Sequence, residues 1–399
     1  MDTVVIKIYG PNKFKLLDRS QFVPEVTKRA YKDLSPTERS LHPSRTYLRH
    51  FVLRPKNLHD YKDDYLPKVE IFENLTEDRK DIRYVMKIEF SVPKLLYGNS
   101  VLEVVEKDKD RVLIELKAAL AKVNIIVETE HLTKATLTAV HLCKNVPLPR
   151  TIKMREILND LERIDINKVY DVTGKKFKNG GRVLNIYSGT IEHVFYDKIE
   201  DSIRPKNKRS DKAHIDLERD FTEKHNLRDR EIFRYEYRIK KGQTVKREIN
   251  AALEREPEKA VLFKDIFTKG LLKKLTVTSW RGIIERPENQ LALFRITDKL
   301  SLFMHVLAEA ERKGTGAHSL NTALTSYGLA VVIQDHGAKE VRKAIFSIWN
   351  TDHPERLTRR IEQTAALTQG LPYSNGISFV DTAVENYQPI TLDLIENGL

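Results

Sequence analysis

Two short stretches of this 399-residue chain carry side chains able to do covalent chemistry. VFYDKIED (194–201) places Tyr196 beside Asp197 and two residues before Lys198. EIFRYEYRIKK (231–241) sets Glu236 between Arg234 and Arg238. A tyrosine hydroxyl can attack a DNA phosphate and hold the broken strand as a phosphotyrosine. The free phenol has a pKa of about 10, so a nearby cation must favour the phenolate at neutral pH. Lys198 lies two residues on along the same face, and Arg234 or Arg238 could also serve. A divalent metal would polarise the phosphate and neutralise charge in the transition state. Oxygen ligands with one imidazole suit Mg²⁺ or Mn²⁺, and His141, Glu236 and Glu89, from three different segments, are the candidates. A lone tyrosine more often packs than attacks, and a lone strand histidine usually only bonds a neighbour; the combination carries the reading. Tyr187, Tyr235 and Tyr237 stand next as nucleophiles.

Such groups need a sheet to bring them together. TVVIKIY (3–9), RYVMKIEFSV (83–92), LTKATLTAVHLCKN (132–145), GRVLNIYSG (181–189), TIEHVFYDK (190–198) and EIFRYEYRIK (231–240) alternate as strands do. Side chains point to opposite faces in turn. Phe233, Tyr235, Tyr237 and Ile239 therefore oppose Arg234, Glu236 and Arg238. Ile191, His193 and Phe195 oppose Glu192, Val194, Tyr196 and Lys198. Val140 and Leu142 oppose His141, Cys143 and Asn145, while Met86, Ile88 and Phe90 oppose Lys87, Glu89 and Ser91. Neighbouring strands would give one apolar face and one of Lys, Glu, His, Tyr and Arg, although a half-exposed antiparallel sheet alternates in this way with no function at all. Helices are expected at about 101–122 and 151–164, and residues 11–80 read as irregular. Beyond 244 helical periodicity dominates to about 368. The expectation is an α+β protein: an antiparallel-sheet domain over 1–255, a helical domain over 256–371 and an acidic tail over 372–399.

The formal charge is +12, from 69 Lys and Arg against 57 Asp and Glu. The surplus is uneven. Residues 171–250 carry 20 basic and 14 acidic side chains, whereas 372–399 carry no base and four acids. Lys175, Lys176, Lys178 and Arg182 flank a Gly-Gly pair, and Arg204, Lys206, Lys208, Arg209 and Lys212 form a second cluster. Flexible cations of this kind follow a polyanion and release its counterions, though charge runs are often only solvated. The single cysteine, Cys143, excludes an intrachain disulfide and any cysteine-rich zinc module, and it fits a reducing compartment. MDTVVIKIYGPNKF lacks the basic and apolar regions of a signal peptide, and no apolar run is long enough to span a membrane. No G-x-x-x-x-G-K-[ST] phosphate loop is present.

KIEFSVPKLLYGNS (87–100), TAVHLCKN (138–145), VFYDKIED (194–201) and EIFRYEYRIKK (231–241) together resemble the rolling-circle replication initiators of the filamentous-phage gene-two/gene-X type. The resemblance covers roughly 1–280 and is weaker over 320–349. It implies a Rep/relaxase-like sheet domain and a site- and strand-specific, metal-dependent endonuclease that also rejoins strands. The family's tyrosine falls on Tyr196, its acid in the arginine-flanked strand on Glu236 and its metal-strand polar position on His141. Relatives often carry an acid at the last position, and HisLeuCys (141–143) offers only half of the His-hydrophobic-His pair of the better-known nicking superfamily. The resemblance further implies a phage or plasmid origin, duplex and single-stranded, as substrate, the host helicase and polymerase as partners, and the cytoplasm of a bacterial host as location. It leaves monomer and homodimer both open.

Three rival readings share parts of this pattern. A non-enzymatic initiator or repressor would use the sheet face as a platform and cut nothing. A conjugative relaxase would run the same chemistry at a transfer origin. An RNA-binding sheet would stack bases on Phe233, Tyr235 and Tyr237, but those rings share a face with Ile239. In the helical region, 322–349 has helix–Gly–helix spacing with Arg342 and Lys343 in the last helix. That spacing suits a helix-turn-helix, or equally core packing with Gly337 as a helix C-cap.

Overall fold

The computed structural model describes residues 1–24, 47–53, 65–75, 82–164, 174–178, 183–204, 215–294, 298–314, 319–348 and 354–397. Twelve strands occur among them: β1 (Thr3–Tyr9), β2 (Phe14–Leu16), β3 (Phe22–Pro24), β4 (Tyr47–Leu53), β5 (Lys68–Leu75), β6 (Ile82–Ser91), β7 (Ile125–Val127), β8 (Thr136–Pro147), β9 (Gly174–Lys178), β10 (Val183–Ser188), β11 (Ile191–Asp197) and β12 (Ile232–Ile239). Ten form one sheet in the order β3-β4-β5-β6-β1-β8-β12-β11-β10-β9, and β2 pairs with β7 apart from it. Every pairing is antiparallel. The protein is α+β.

Alternation decides the two faces, as the sequence predicts. Ile6, Ile88, Leu142, Phe195, Phe233 and Tyr235 enter the main core. Trp280 packs edge-on against Phe195, Phe233 and Tyr235, and the Tyr235 hydroxyl meets Ser279 Oγ at 2.8 Å. A register shift between Val5 and Ile6 against β8 lets Leu137 share the buried side with Val140.

Helix Gly242–Ala252, helix Leu271–Ile284 and helix Asn375–Asn386 all contribute to this core, through Val245, Leu272 and Val380 among others. The expected boundary at 255 therefore falls inside the sheet's own core. A second apolar cluster begins only at Leu291 and runs to Leu367. The stretch expected as an acidic tail is packed: Asp381 accepts from Trp280 Nε1 at 2.8 Å, and Glu385 accepts from Arg281 Nε at 2.8 Å. Its apolar residues, hidden from a reading based on charge, fix it in place.

The helix–Gly–helix unit is present as Ser319–His336 and Ala338–Ile348. Gly337 has φ +78°, and a Cβ there would lie 2.6 Å from the Arg163 carbonyl oxygen. Arg342 is buried and Lys343 pairs with Glu340 at 2.7 Å. Gly337 and Arg342 are thus used in packing, while Lys343 is exposed. Among the described residues, no helix is long and apolar enough to cross a membrane.

Candidate active site

The register of β8, β12 and β11 places the polar residues in rows. Arg234 stands between Asn145 and Tyr196, Glu236 between Cys143 and Val194, and Arg238 between His141 and Glu192. Directly opposed residues share a face, so the predicted grouping of His141, Tyr196, Arg234, Glu236 and Arg238 is present.

Glu236 is the hub. Tyr196 Oη donates to its Oε1 at 2.5 Å, and Arg234 Nε donates to the same oxygen at 2.7 Å. Arg238 Nε donates to Oε2 at 2.6 Å. Burial alone would push this carboxyl up, but Arg238, Arg234 and the Tyr196 hydroxyl hold it well below the usual range. Burial also dominates at Tyr196, which is 7% exposed. It lifts the phenol well above its ordinary value, against the Arg234 guanidinium and with the Glu236 charge. The resting hydroxyl is a protonated donor.

Lys198 is taken up by other partners. It opens helix Lys198–Ile203, is buried, and pairs with Glu218 at 3.1 Å and Asp201 at 4.0 Å. The strand ends at Asp197, whose side chain caps that helix at the Ile199 N–H, 2.9 Å away. The cation at the tyrosine is Arg234, whose guanidinium carbon lies 5.9 Å from the ring centroid.

The expected metal set is altered in the same way. Asp2, His141 and Glu236 each offer a ligand atom, all within 4.8 Å of one another. Glu89 shares the face but is outside this group; its side chain is 40% exposed and lies 3.9 Å from Lys87. Asp2 takes its place. The Asp2 N–H donates to the His141 carbonyl and the Val92 N–H donates to the Asp2 carbonyl. These bonds fix Asp2 where β6 and β8 flank the start of β1. Asp2 Oδ1 also meets Arg234 Nη2 at 3.1 Å. A carboxylate just before a strand gave no sequence signal, because its position depends on two distant pairings.

The three donors could together hold a metal ion. Burial and then Arg238 push His141 below its ordinary value, so the imidazole is neutral and able to ligate, and its ring bonds to no described residue. Both Glu236 oxygens already accept bonds. Both guanidiniums also have other partners, Arg238 at Glu192 (3.3 Å) and Arg234 at Asp2 (3.1 Å).

The site has a roof. Arg234 Nη1 donates to the Ser100 carbonyl at 2.8 Å, and Asn145 Nδ2 donates to the Val101 carbonyl at 2.8 Å. Ser100 Oγ donates to Glu218 at 2.5 Å, and Glu218 also receives Lys94 and Lys198. A small apolar cluster, Val101, Leu102, Ile199, Leu227, Ile232, Ile390 and Ile395, ties this cover to the C-terminal segment. Sequence reasoning missed Ser100 and Glu218, whose roles arise from contacts over more than a hundred residues.

The expected DNA-contacting cations fare differently. Arg234 is 1% exposed and Arg238 is bound to Glu236, so both serve the network. Arg204 pairs with Glu200 at 3.2 Å. Lys175, Lys176 and Lys178 lie on edge strand β9 and not in a loop. Arg182, Lys206, Lys208, Arg209 and Lys212 lie outside the described residues. Comparison with protein-family models, curated proteins and solved structures finds no match to this chain.

Proposed function

We propose that this chain initiates rolling-circle replication by nicking, and later rejoining, one strand of a phage or plasmid origin. The observation that carries the reading is the contact of the Tyr196 hydroxyl with Glu236, a member of the Asp2–His141–Glu236 group. A nucleophile and a candidate cation site thus meet on one carboxylate, on a large antiparallel sheet.

The chemistry is a transesterification. Tyr196 Oη attacks the scissile phosphorus while its proton passes toward Glu236. The bond from phosphorus to the 3′ oxygen breaks, and that oxygen leaves as the 3′ hydroxyl that primes synthesis. The phosphotyrosine keeps the 5′ end, and attack by a 3′ hydroxyl reverses the bond. Arg234 favours the phenolate as it forms. Mg²⁺ or Mn²⁺, held by Asp2, His141 and Glu236, would neutralise charge on the phosphate. The host helicase and polymerase, in the cytoplasm of a bacterial host, are the expected partners.

The buried position of Tyr196 favours a second reading, a DNA-binding protein that does not cut. Supercoiled DNA carrying the replicon's own origin, incubated with the protein and Mg²⁺ or Mn²⁺, separates the two. Nicked circles with protein on the 5′ end support nicking; intact circles with both metals support binding alone. Nicking of a transfer origin in place of a replication origin would make the protein a relaxase.

A further inference from the structure

The β1–β6 part of the polar sheet face holds an arrangement that the nicking chemistry does not use. Lys7 on β1 lies directly opposite Lys87 on β6. Like charges facing each other across a pair of strands are destabilising, so a fold keeps them at a cost. Lys7 is half-buried and makes no ion pair or hydrogen bond with a described residue.

The nearest acid is already shared. Glu70, opposite Lys87 on β5, takes Lys68 at 2.8 Å, His50 at 3.1 Å and Lys87 at 3.5 Å. Burial, and then Lys87, pushes the Lys7 ammonium below its ordinary value, and Glu70 offsets this only in part. An anion seated between the two lysines would relieve both strains.

Location narrows what that anion is. In the sheet order β6-β1-β8-β12, Lys7 is two strands from Glu236, and their partners on β8, Thr136 and Cys143, are seven residues apart, which makes about 25 Å at ordinary strand dimensions. The ground between is polar, with Glu89 and His141 on the same face. Accessibility changes along this path. Arg234 is 1% exposed beneath the 98–103 cover, whereas Lys87 and Glu89 have side chains 25% and 40% exposed. Lys87 and Glu89 are thus more exposed than Arg234, and a strand approaching the Glu236 cluster from this side crosses the lysines first.

We propose that Lys7 and Lys87 form a phosphodiester-binding step that guides a single DNA strand along β1 and β6 to the Tyr196–Glu236 cluster. This rests on the nicking reading only for the identity of the polyanion.

The test is the salt dependence of binding to a mixed-sequence single-stranded oligonucleotide, followed by fluorescence anisotropy on the full chain. Each phosphate neutralised contributes about 0.7 to the slope of log K against log salt for single strands. The double variant Lys7→Gln, Lys87→Gln is expected to lower the slope by about 1.4. Lys7→Arg with Lys87→Arg is expected to keep it, and so is Lys299→Gln, an exposed lysine of the second helical cluster region. Thermal unfolding provides a second measurement: the oligonucleotide raises the Tm of the wild type more than that of the double glutamine variant. An unchanged slope and an unchanged Tm increment in that variant overturn this inference and leave the nicking reading intact. Failure of the wild type to bind any oligonucleotide overturns both. Loss of the slope in the arginine variant would show that the pair acts through shape and not charge, and would also overturn the inference.

Discussion

Replacing Glu236 by Gln removes the charge that holds the site together. The carboxylate accepts from Tyr196 Oη and Arg234 Nε on one oxygen and from Arg238 on the other. Glutamine offers one acceptor oxygen and turns an amide donor toward a guanidinium. Breaking a buried ion pair from one side costs about 3–5 kcal/mol, because a charge is left uncompensated. Here Arg234 keeps Asp2 at 3.1 Å and Arg238 keeps Glu192 at 3.3 Å. Those residual partners place the expected loss near the lower end, about 3 kcal/mol. Tyr196→Phe removes one hydrogen bond to a charged acceptor and leaves both guanidiniums paired, so its loss is about 1.5 kcal/mol. Guanidinium unfolding of the two variants, followed by tryptophan fluorescence from buried Trp280, reads both values. A Glu236→Gln loss below about 1 kcal/mol, or one no larger than that of Tyr196→Phe, would refute the hub role.

Other consequences follow from the same contacts. Lys68, Lys87 and His50 outweigh burial and hold the Glu70 carboxyl down to about 2, from 4.5. Its stabilising contribution is present above 4.5 and lost as pH falls toward 2, so Glu70→Gln should flatten that acid limb of a stability–pH profile. Asp197 goes the other way: burial lifts it to about 6, from 3.8, against the Ile199 and Ile232 N–H groups. The folded state binds the extra proton between those values, so stability falls as pH rises through them. Asp197→Asn keeps a helix-capping oxygen and should be more stable than the wild type at pH 8, with the gain disappearing by pH 4 in thermal melts. Cys143, the single cysteine, is 2% exposed opposite Glu236. Ile395→Ala, which weakens the apolar cluster tying down the cover, should speed its reaction with a thiol reagent at least tenfold while the Trp280 signal stays native. An unchanged rate would mean that the C-terminal segment does not hold the cover closed.

Much of the sheet was legible in the sequence because alternation is local. β1, β6, β11 and β12 each show one apolar and one polar edge, and register then brought His141, Arg234, Glu236 and Tyr196 together. Residues 68–75 alternate as well, but in a context of Tyr, Pro and Asp they read as irregular, and their pairing with β6 is what makes them a strand. A period of two carried past Asp197, where a helix starts, hides that Lys198 pairs with Glu218 and Asp201. Asp2 and Glu218 were invisible, since each matters only through partners far away in the chain. The C-terminal stretch was judged by its acids, while Ile377, Val380 and Val384, spaced for one helix face, are what decide its packing.

The central claim is that Tyr196 forms a covalent bond to a DNA 5′ phosphate. It is tested most directly by trapping the protein on supercoiled origin DNA with Mn²⁺, digesting both partners and sequencing the nucleotide-bearing peptide by mass spectrometry. The predicted result is a nucleotide on Tyr196, absent when Tyr196→Phe, with DNA binding retained in the variant. A wild-type protein that binds and yields no adduct, or an adduct that persists in Tyr196→Phe, would contradict the claim.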